Sequence, residues 1–325
     1  MRAVVHQEFG EPSEVLAVEE VAVPEPGAGQ VRLKVLLSPI HNHDLWTVRG
    51  TYGFKPELPA RAGTEVVGIV DALGEGVTGL EVGQRVATGG AFGAWAEYVL
   101  TTAKGLIPVA DGLSDEVAAQ LVAMPFSAIS LLEQLDLAPG DWLVQNAANG
   151  AVGRMIAQLG KARGINVLSL VRRSAAVEEL AGFGVGNVVP TDADGWQEQV
   201  AEVTGGAPIK AGIDSVGGRP AGDVLALLAD GGTLVVFGAM DSPRLDLSSG
   251  DVIFKEAVVR GFWASKVIAT MPAEQRRALF AELIQRAGDG SLDLAVEKIY
   301  PLEEARAAAA ANFEPGRRGK LLLRP

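Results

Sequence analysis

The sequence predicts an α/β protein in which a doubly wound parallel sheet is inserted between two parts of a β-rich domain. Three observations carry this. The first ~120 residues hold short runs of polar–apolar alternation broken by glycines, as strands joined by tight turns do. After Ser114, six strand-like runs alternate with helical patterns. Parallel neighbours need such crossovers. The tail returns to two short strand patterns around an Ala-rich stretch.

The elements follow in order. Gln30–Leu36 alternates at period two, and Glu65–Val70 and Gln84–Ala87 are further strand patterns. Gly74, Gly76, Gly79 and Gly83 punctuate the chain between the last two, in the manner of a compact barrel-like sheet. Asp115–Leu135 carries helical apolar spacing, with Ser114 as an N-cap. Trp142–Gln145 opens the alternating part, and the helix after it runs to about Arg163. The strands that follow are Asn166–Val171, Asn187–Val189, Ala211–Val216, Thr233–Phe237 and Ala257–Phe262. Helices are expected over Ala175–Phe183, Trp196–Val203, Gly222–Ala229, Pro272–Ala287 and Leu302–Ala311. Ala295–Tyr300 and Lys320–Leu323 are the closing strands.

Composition removes several functions. The 325 residues include no cysteine, which excludes a disulfide framework, a thiol nucleophile, an iron–sulfur cluster and any Cys-based zinc site. Three histidines exist, His6, His41 and His43, all within the first 43 residues, a poor basis for a hydrolase triad. A net charge of −12 with no basic run argues against nucleic acid or an anionic membrane as partner. No stretch approaches the roughly 18 uninterrupted apolar residues of a membrane span, and the first residues lack a signal core. A cytoplasmic protein is expected.

The sharpest motif is Ala147-Ala148-Asn149-Gly150-Ala151-Val152-Gly153, between a strand and a helix. It fits A-x-G-x-x-G, so the first glycine of the dinucleotide fingerprint is Ala148. Gly150 lets the backbone approach a pyrophosphate, and Gly153 lets helix and strand pack closely. The helix start then offers N–H groups and a positive dipole end to the phosphates. At the end of the next strand, where a free ribose 2′-hydroxyl usually meets an acid, the chain reads Arg172-Arg173-Ser174, with no acid before Glu178. Two guanidiniums fork onto a 2′-phosphate, and a serine adds a hydrogen bond. NADPH is therefore the expected cofactor.

These residues, with Ser38-Pro39-Ile40-His41-Asn42-His43-Asp44, resemble the medium-chain dehydrogenase/reductase superfamily over essentially the whole chain. The resemblance is to its zinc-free branch of quinone oxidoreductases and 2-enoyl thioester reductases. Zinc-type members carry Cys where His41 stands and Gly-His-Glu where this chain reads Gly63-Thr64-Glu65. The loop Gly50–Pro59 is similar to the one bearing the catalytic Tyr of the enoyl thioester reductases, which places that role on Tyr52. Gln145–Asn149 is like their phosphate-loop entry, which adds Asn146 to the cofactor residues. Ile165–Arg173, and Ile253-Phe254-Lys255 with Arg260–Trp263, also match. One departure stands out: His41-Asn42-His43-Asp44 replaces the usual Asn-Pro-Ser-Asp beside the expected nicotinamide pocket.

The resemblance implies a GroES-like catalytic domain over 1–122 and 264–325, with a Rossmann NADPH-binding domain over 123–263. It implies no metal and a homodimer. His41, His43 and Trp263 are the expected substrate-pocket residues. The expected cofactor residues are Asn146, Ala148, Asn149, Gly150, Ala151, Val152, Gly153, Arg172, Arg173 and Ser174. The implied reaction is hydride addition to the activated C=C of an α,β-unsaturated carbonyl or enoyl thioester, a small-molecule substrate. There a hydrogen-bond donor stabilises the oxygen on which charge develops. A quinone reductase and a non-catalytic NADPH-binding protein are the alternatives.

Overall fold

The computed structural model describes residues 1–314 and 316–325. Contacts divide the chain into two units, Met1–Ala123 with Leu294–Pro325, and Met124–Asp293.

The first unit begins with two small antiparallel pairs. β1 (Arg2–His6) lies between β2 (Leu16–Glu20) and β4 (Ala60–Arg61). The long β3 (Gln30–Pro39) pairs antiparallel with β5 (Val66–Leu73), and β5 with β6 (Arg85–Thr88). β7 (Tyr98–Thr102) takes the other flank of β3, and β8 (Ile107–Pro108) ends on β6. Alternation along β3 buries Val31, Leu33 and Val35 against Val66, Val70, Val86 and Val99. That one-sided burial is why the period-two pattern was visible in sequence.

The second unit is a six-stranded, fully parallel sheet. Its strands are β9 (Trp142–Gln145), β10 (Asn166–Val171), β11 (Val188–Pro190), β12 (Ile209–Asp214), β13 (Thr233–Val236) and β14 (Val258–Gly261). Their order is β11-β10-β9-β12-β13-β14. The winding reverses between β9 and β12, and ligands of such sheets bind beyond the strand ends at that switch point. Val144, Leu168, Leu170, Val224 and Leu234 fill one face of this sheet.

The chain then returns to the first unit. β15 (Val296–Pro301) and β16 (Lys320–Arg324) pair in parallel, and β16 joins β3.

Two sequence expectations need correction. Residues 264–293 belong with the second unit rather than the first. Within that unit, Phe280 stacks on Phe126 with ring centroids 4.6 Å apart. Arg163 also reaches both Glu133 at 2.9 Å and Glu282 at 2.7 Å. These links join the helix Ala273–Gly288 to the helix Ala123–Leu135, and sequence periodicity carries no record of them. The continuous helix over 115–135 is really two, Asp115–Ala118 and Ala123–Leu135. Ser114 caps only the first, accepting from Val117 N–H at 3.3 Å. The break has a reason: Val122 and Ala123 donate their N–H groups to Glu65, and Pro125 tolerates only the first turn of a helix.

Candidate active site

In the first unit the site grows from the end of β3. The helix Asn42–Arg49 starts at once after β3, with His41 as its N-cap residue. Asp44, three residues on, accepts the His41 backbone N–H at 3.0 Å. Gly50 ends the helix in the left-handed conformation at φ 72°, which turns the chain toward Tyr52. Gly63 sits at φ 91°, and the indole of Trp95 occupies the place its Cβ would need. This close approach sets Thr64 and Glu65 beside the helix.

Thr64 donates its hydroxyl to Asp44 Oδ1 at 2.7 Å, and His43 Nε2 stands 2.8 Å from the same hydroxyl oxygen. A carboxylate only accepts, and threonine has one hydrogen to give. That hydrogen goes to Asp44, so His43 Nε2–H is the donor to Thr64. The chain His43–Thr64–Asp44 is thereby fixed in direction, leaving Nδ1 as the ring nitrogen outside it. His43 stacks on His41 with ring centroids 5.0 Å apart and meets Tyr52 in a tilted contact at 5.7 Å. Its side chain is one-fifth exposed, so it forms the outer part of the cluster.

His41 does not line a pocket, contrary to the sequence expectation. It is fully buried, and its Nε2 lies 2.6 Å from Glu65 Oε2. Glu65 is equally buried, and its Oε1 accepts from Val122 N–H at 2.6 Å and Ala123 N–H at 2.8 Å. Burial pushes the Glu65 carboxyl up to about 7, against the opposing pull of those two N–H groups. Burial, then the charges of Lys320 and His43, hold His41 well below the ordinary histidine range. The imidazole is thereby held toward its neutral form. Its Nδ1 has no hydrogen-bond partner among the described residues.

In the second unit the glycine loop joins β9 to the helix Ala151–Ala162. Ala147 takes φ 49°, a left-handed turn. A Cβ on Gly153 would lie 2.7 Å from Ala148 Cα and 2.8 Å from its carbonyl oxygen, so glycine is required for the helix to start this close. Gly150 is the N-cap residue and brings no side chain to the first-turn N–H groups. Asn149 and Gly150 are exposed. This arrangement fits a pyrophosphate. Ala151 and Val152 form the first turn.

Asn146 is buried at the entry to the glycine loop. Its amide donates to Asp214 Oδ1 at 2.5 Å and accepts from Ser215 N–H at 2.7 Å. It therefore clamps the ends of β9 and β12 at the switch point, and Asp214 is a partner that sequence reasoning missed. Both the N–H and the hydroxyl of Ser174 are donated to Asp192, at 3.1 and 2.8 Å. A 2′-phosphate is thus left to the guanidiniums. Arg172 is exposed at the end of β10, while Arg173 stands 3.5 Å from Glu179. Trp263 lies in this second unit, 38% exposed, with Lys266 over its ring at 5.3 Å.

Two family models match the chain: "Alcohol dehydrogenase GroES-like domain" over residues 27–111 and "Zinc-binding dehydrogenase" over residues 151–283. The mitochondrial enoyl-[acyl-carrier-protein] reductase of Homo sapiens is 30% identical over 330 residues, covering 99% of this chain and 88% of the relative. That of Caenorhabditis elegans is 32% identical, covering 87% and 83%. The chain is a medium-chain dehydrogenase/reductase. Solved structures of similar fold include Escherichia coli quinone oxidoreductase complexed with NADPH, at TM-score 0.91 and 25% identity, covering both chains fully. A mycobacterial protein complexed with NADPH gives TM-score 0.90 and 29% identity, again over 100% of each. This medium-chain dehydrogenase/reductase is accordingly an oxidoreductase that uses a nicotinamide cofactor and a small-molecule substrate.

One of the matching family descriptions implies zinc, and the donors here do not suit it. There is no cysteine, His41 Nε2 is engaged with Glu65, and the Thr64 oxygen is engaged with His43 and Asp44. Among the described residues no three His, Asp or Glu side chains are grouped to hold a metal. A catalytic zinc needs about three protein ligands. Among the described residues no helix is long and apolar enough to cross a membrane.

Proposed function

We propose that this protein is an NADPH-dependent reductase that reduces the activated C=C of an α,β-unsaturated carbonyl compound, enoyl thioesters included. The observation that carries the reading is the near full-length similarity to enoyl reductases, joined to a donor cluster built without metal ligands. The reduced nicotinamide, when bound, supplies the hydride.

The chain's own residues do the rest. The Tyr52 hydroxyl donates a hydrogen bond to the carbonyl oxygen as charge develops there. The His43 ring holds the Tyr52 ring in place, and Thr64 and Asp44 hold His43. The first-turn N–H groups of Ala151, Val152 and Gly153 bind pyrophosphate, and Arg172 with Arg173 selects the 2′-phosphate.

Quinone reduction is the second reading, favoured by the names of solved neighbours. Following NADPH oxidation separately with crotonyl thioester, small enones and quinones distinguishes the two. Absence of turnover with every enone and enoyl thioester refutes the first.

The proposal includes a cytoplasmic homodimer. β14 is a sheet edge with all four residues exposed, flanked by Phe254 at 84% and Ile253 at 63% exposure. An open apolar edge of this kind pairs readily with a second copy. Sedimentation of wild type and Phe254→Glu tests it, with monomer expected for the variant.

A further inference from the structure

Several arginines of the first unit are matched with carboxylates. Arg32 meets Asp71 at 2.6 Å, Arg49 meets Glu11 at 2.9 Å and Arg85 meets Asp115 at 2.8 Å. Arg61, on β4, has no ion pair or hydrogen bond from its side chain to any described residue, although it is half-buried. Burial alone draws its guanidinium below the ordinary arginine range. A cation removed from water without a partner is costly, and proteins normally pair such charges.

Arg61 lines a cavity of about 210 Å³ with Phe54, Phe92, Thr47, Thr64 and Asp44 among its other walls. Phe54 and Phe92 face each other at 5.1 Å between centroids and are 42% and 61% exposed. Gly93 makes room for the arginine: a Cβ there would lie 3.0 Å from Arg61 Cβ and 3.1 Å from its Nε. Among the described residues Asp44 makes no ion pair with Arg61; its two oxygens accept from Thr64 and from the His41 N–H. The cavity thus combines an unpaired guanidinium, an apolar aromatic pair and the hydroxyl of the His43–Thr64–Asp44 chain. Its volume is that of about seven liquid waters. That space accommodates a small acid against the guanidinium.

We propose that Arg61 anchors the carboxylate of a small acidic substrate, with the carbon skeleton against Phe54 and Phe92. Guanidinium and carboxylate pair bidentately, which fixes orientation as well as affinity. The inference rests on the reductase reading for its chemistry and narrows the substrate to an α,β-unsaturated carbonyl compound bearing an acid group.

The test compares 4-oxo-2-pentenoic acid with its methyl ester. Arg61→Met is expected to lower the acid-to-ester ratio of kcat/KM roughly 10- to 100-fold, the range of one charge-assisted contact. Arg61→Lys is expected to restore only part of it, because lysine supplies the charge without the bidentate fork. An unchanged ratio in Arg61→Met overturns the proposal. Dependence on Arg61 that appears instead for crotonyl-coenzyme A over a short neutral crotonyl thioester also overturns it, by assigning Arg61 to a carrier phosphate. A second measurement is independent of turnover. Saturating 4-oxopentanoate should raise the Tm of the wild type and not of Arg61→Met. No rise in the wild type overturns the site. If no enone is reduced at all, the reductase reading falls while this titration still decides the role of Arg61.

Discussion

Replacing Glu65 by glutamine should change how stability depends on pH. Glu65 is fully buried, with its carboxyl raised from 4.5 to about 7, chiefly by burial. The folded state therefore holds this proton more tightly than the unfolded chain. Its contribution to stability is full below pH ~4.5 and is lost as pH rises through about 7. At 1.36 kcal/mol per pH unit, the loss is on the order of 3 kcal/mol. Glutamine stays neutral throughout and retains an acceptor for Val122 and Ala123 N–H. His41, whose own shift has the opposite sign, is present in both proteins. Urea unfolding of both proteins from pH 5 to 8 should show the wild type losing on the order of 3 kcal/mol relative to Glu65→Gln. Parallel stability curves across that range would refute the assignment of a buried, proton-holding carboxyl.

Four further outcomes are expected. Gly153→Ala should abolish NADPH binding by calorimetry, because its Cβ would stand 2.7 Å from Ala148 Cα. Arg172→Ala with Arg173→Ala should weaken NADPH roughly 10- to 100-fold by fluorescence titration and leave NADH within about twofold. Tyr52→Phe should lower kcat with crotonyl thioester roughly 100-fold while cofactor affinity holds; equal turnover removes Tyr52 from the reaction. Arg163→Met should destabilise the second unit by about 1 kcal/mol in urea, since the pairs are only part-buried and Glu282 keeps Arg286 at 2.7 Å.

Local pattern made some of this structure legible. The alternation in β3 is visible because one face is buried, and the six βα repeats are visible because each strand is short and its crossover long. Gly150 and Gly153 were readable because backbone approach restricts those positions to glycine. The extent of the second unit was not, since Arg163, Glu133 and Glu282 meet across more than 100 residues of sequence. The bonding of Ser174 was not legible for a similar reason. Its partner Asp192 arrives from beyond β11 and is silent in the local motif.

The sequence by itself determined the fold class, the glycine loop between strand and helix and the absence of thiol chemistry, because these depend on residue type and near-neighbour spacing. Tertiary structure decided what the polar residues do. His41 and His43, two positions apart, took opposite fates: one is buried against Glu65, and the other is oriented outward by Thr64 and Asp44. In the sequence, the missing cysteines and Thr64 in place of the zinc-type histidine argued against zinc. The fold supplied the positive account, by engaging the nearby donor atoms with one another. Hydrogen-bond direction and burial are properties of three-dimensional neighbours, and only the folded chain brings those neighbours together.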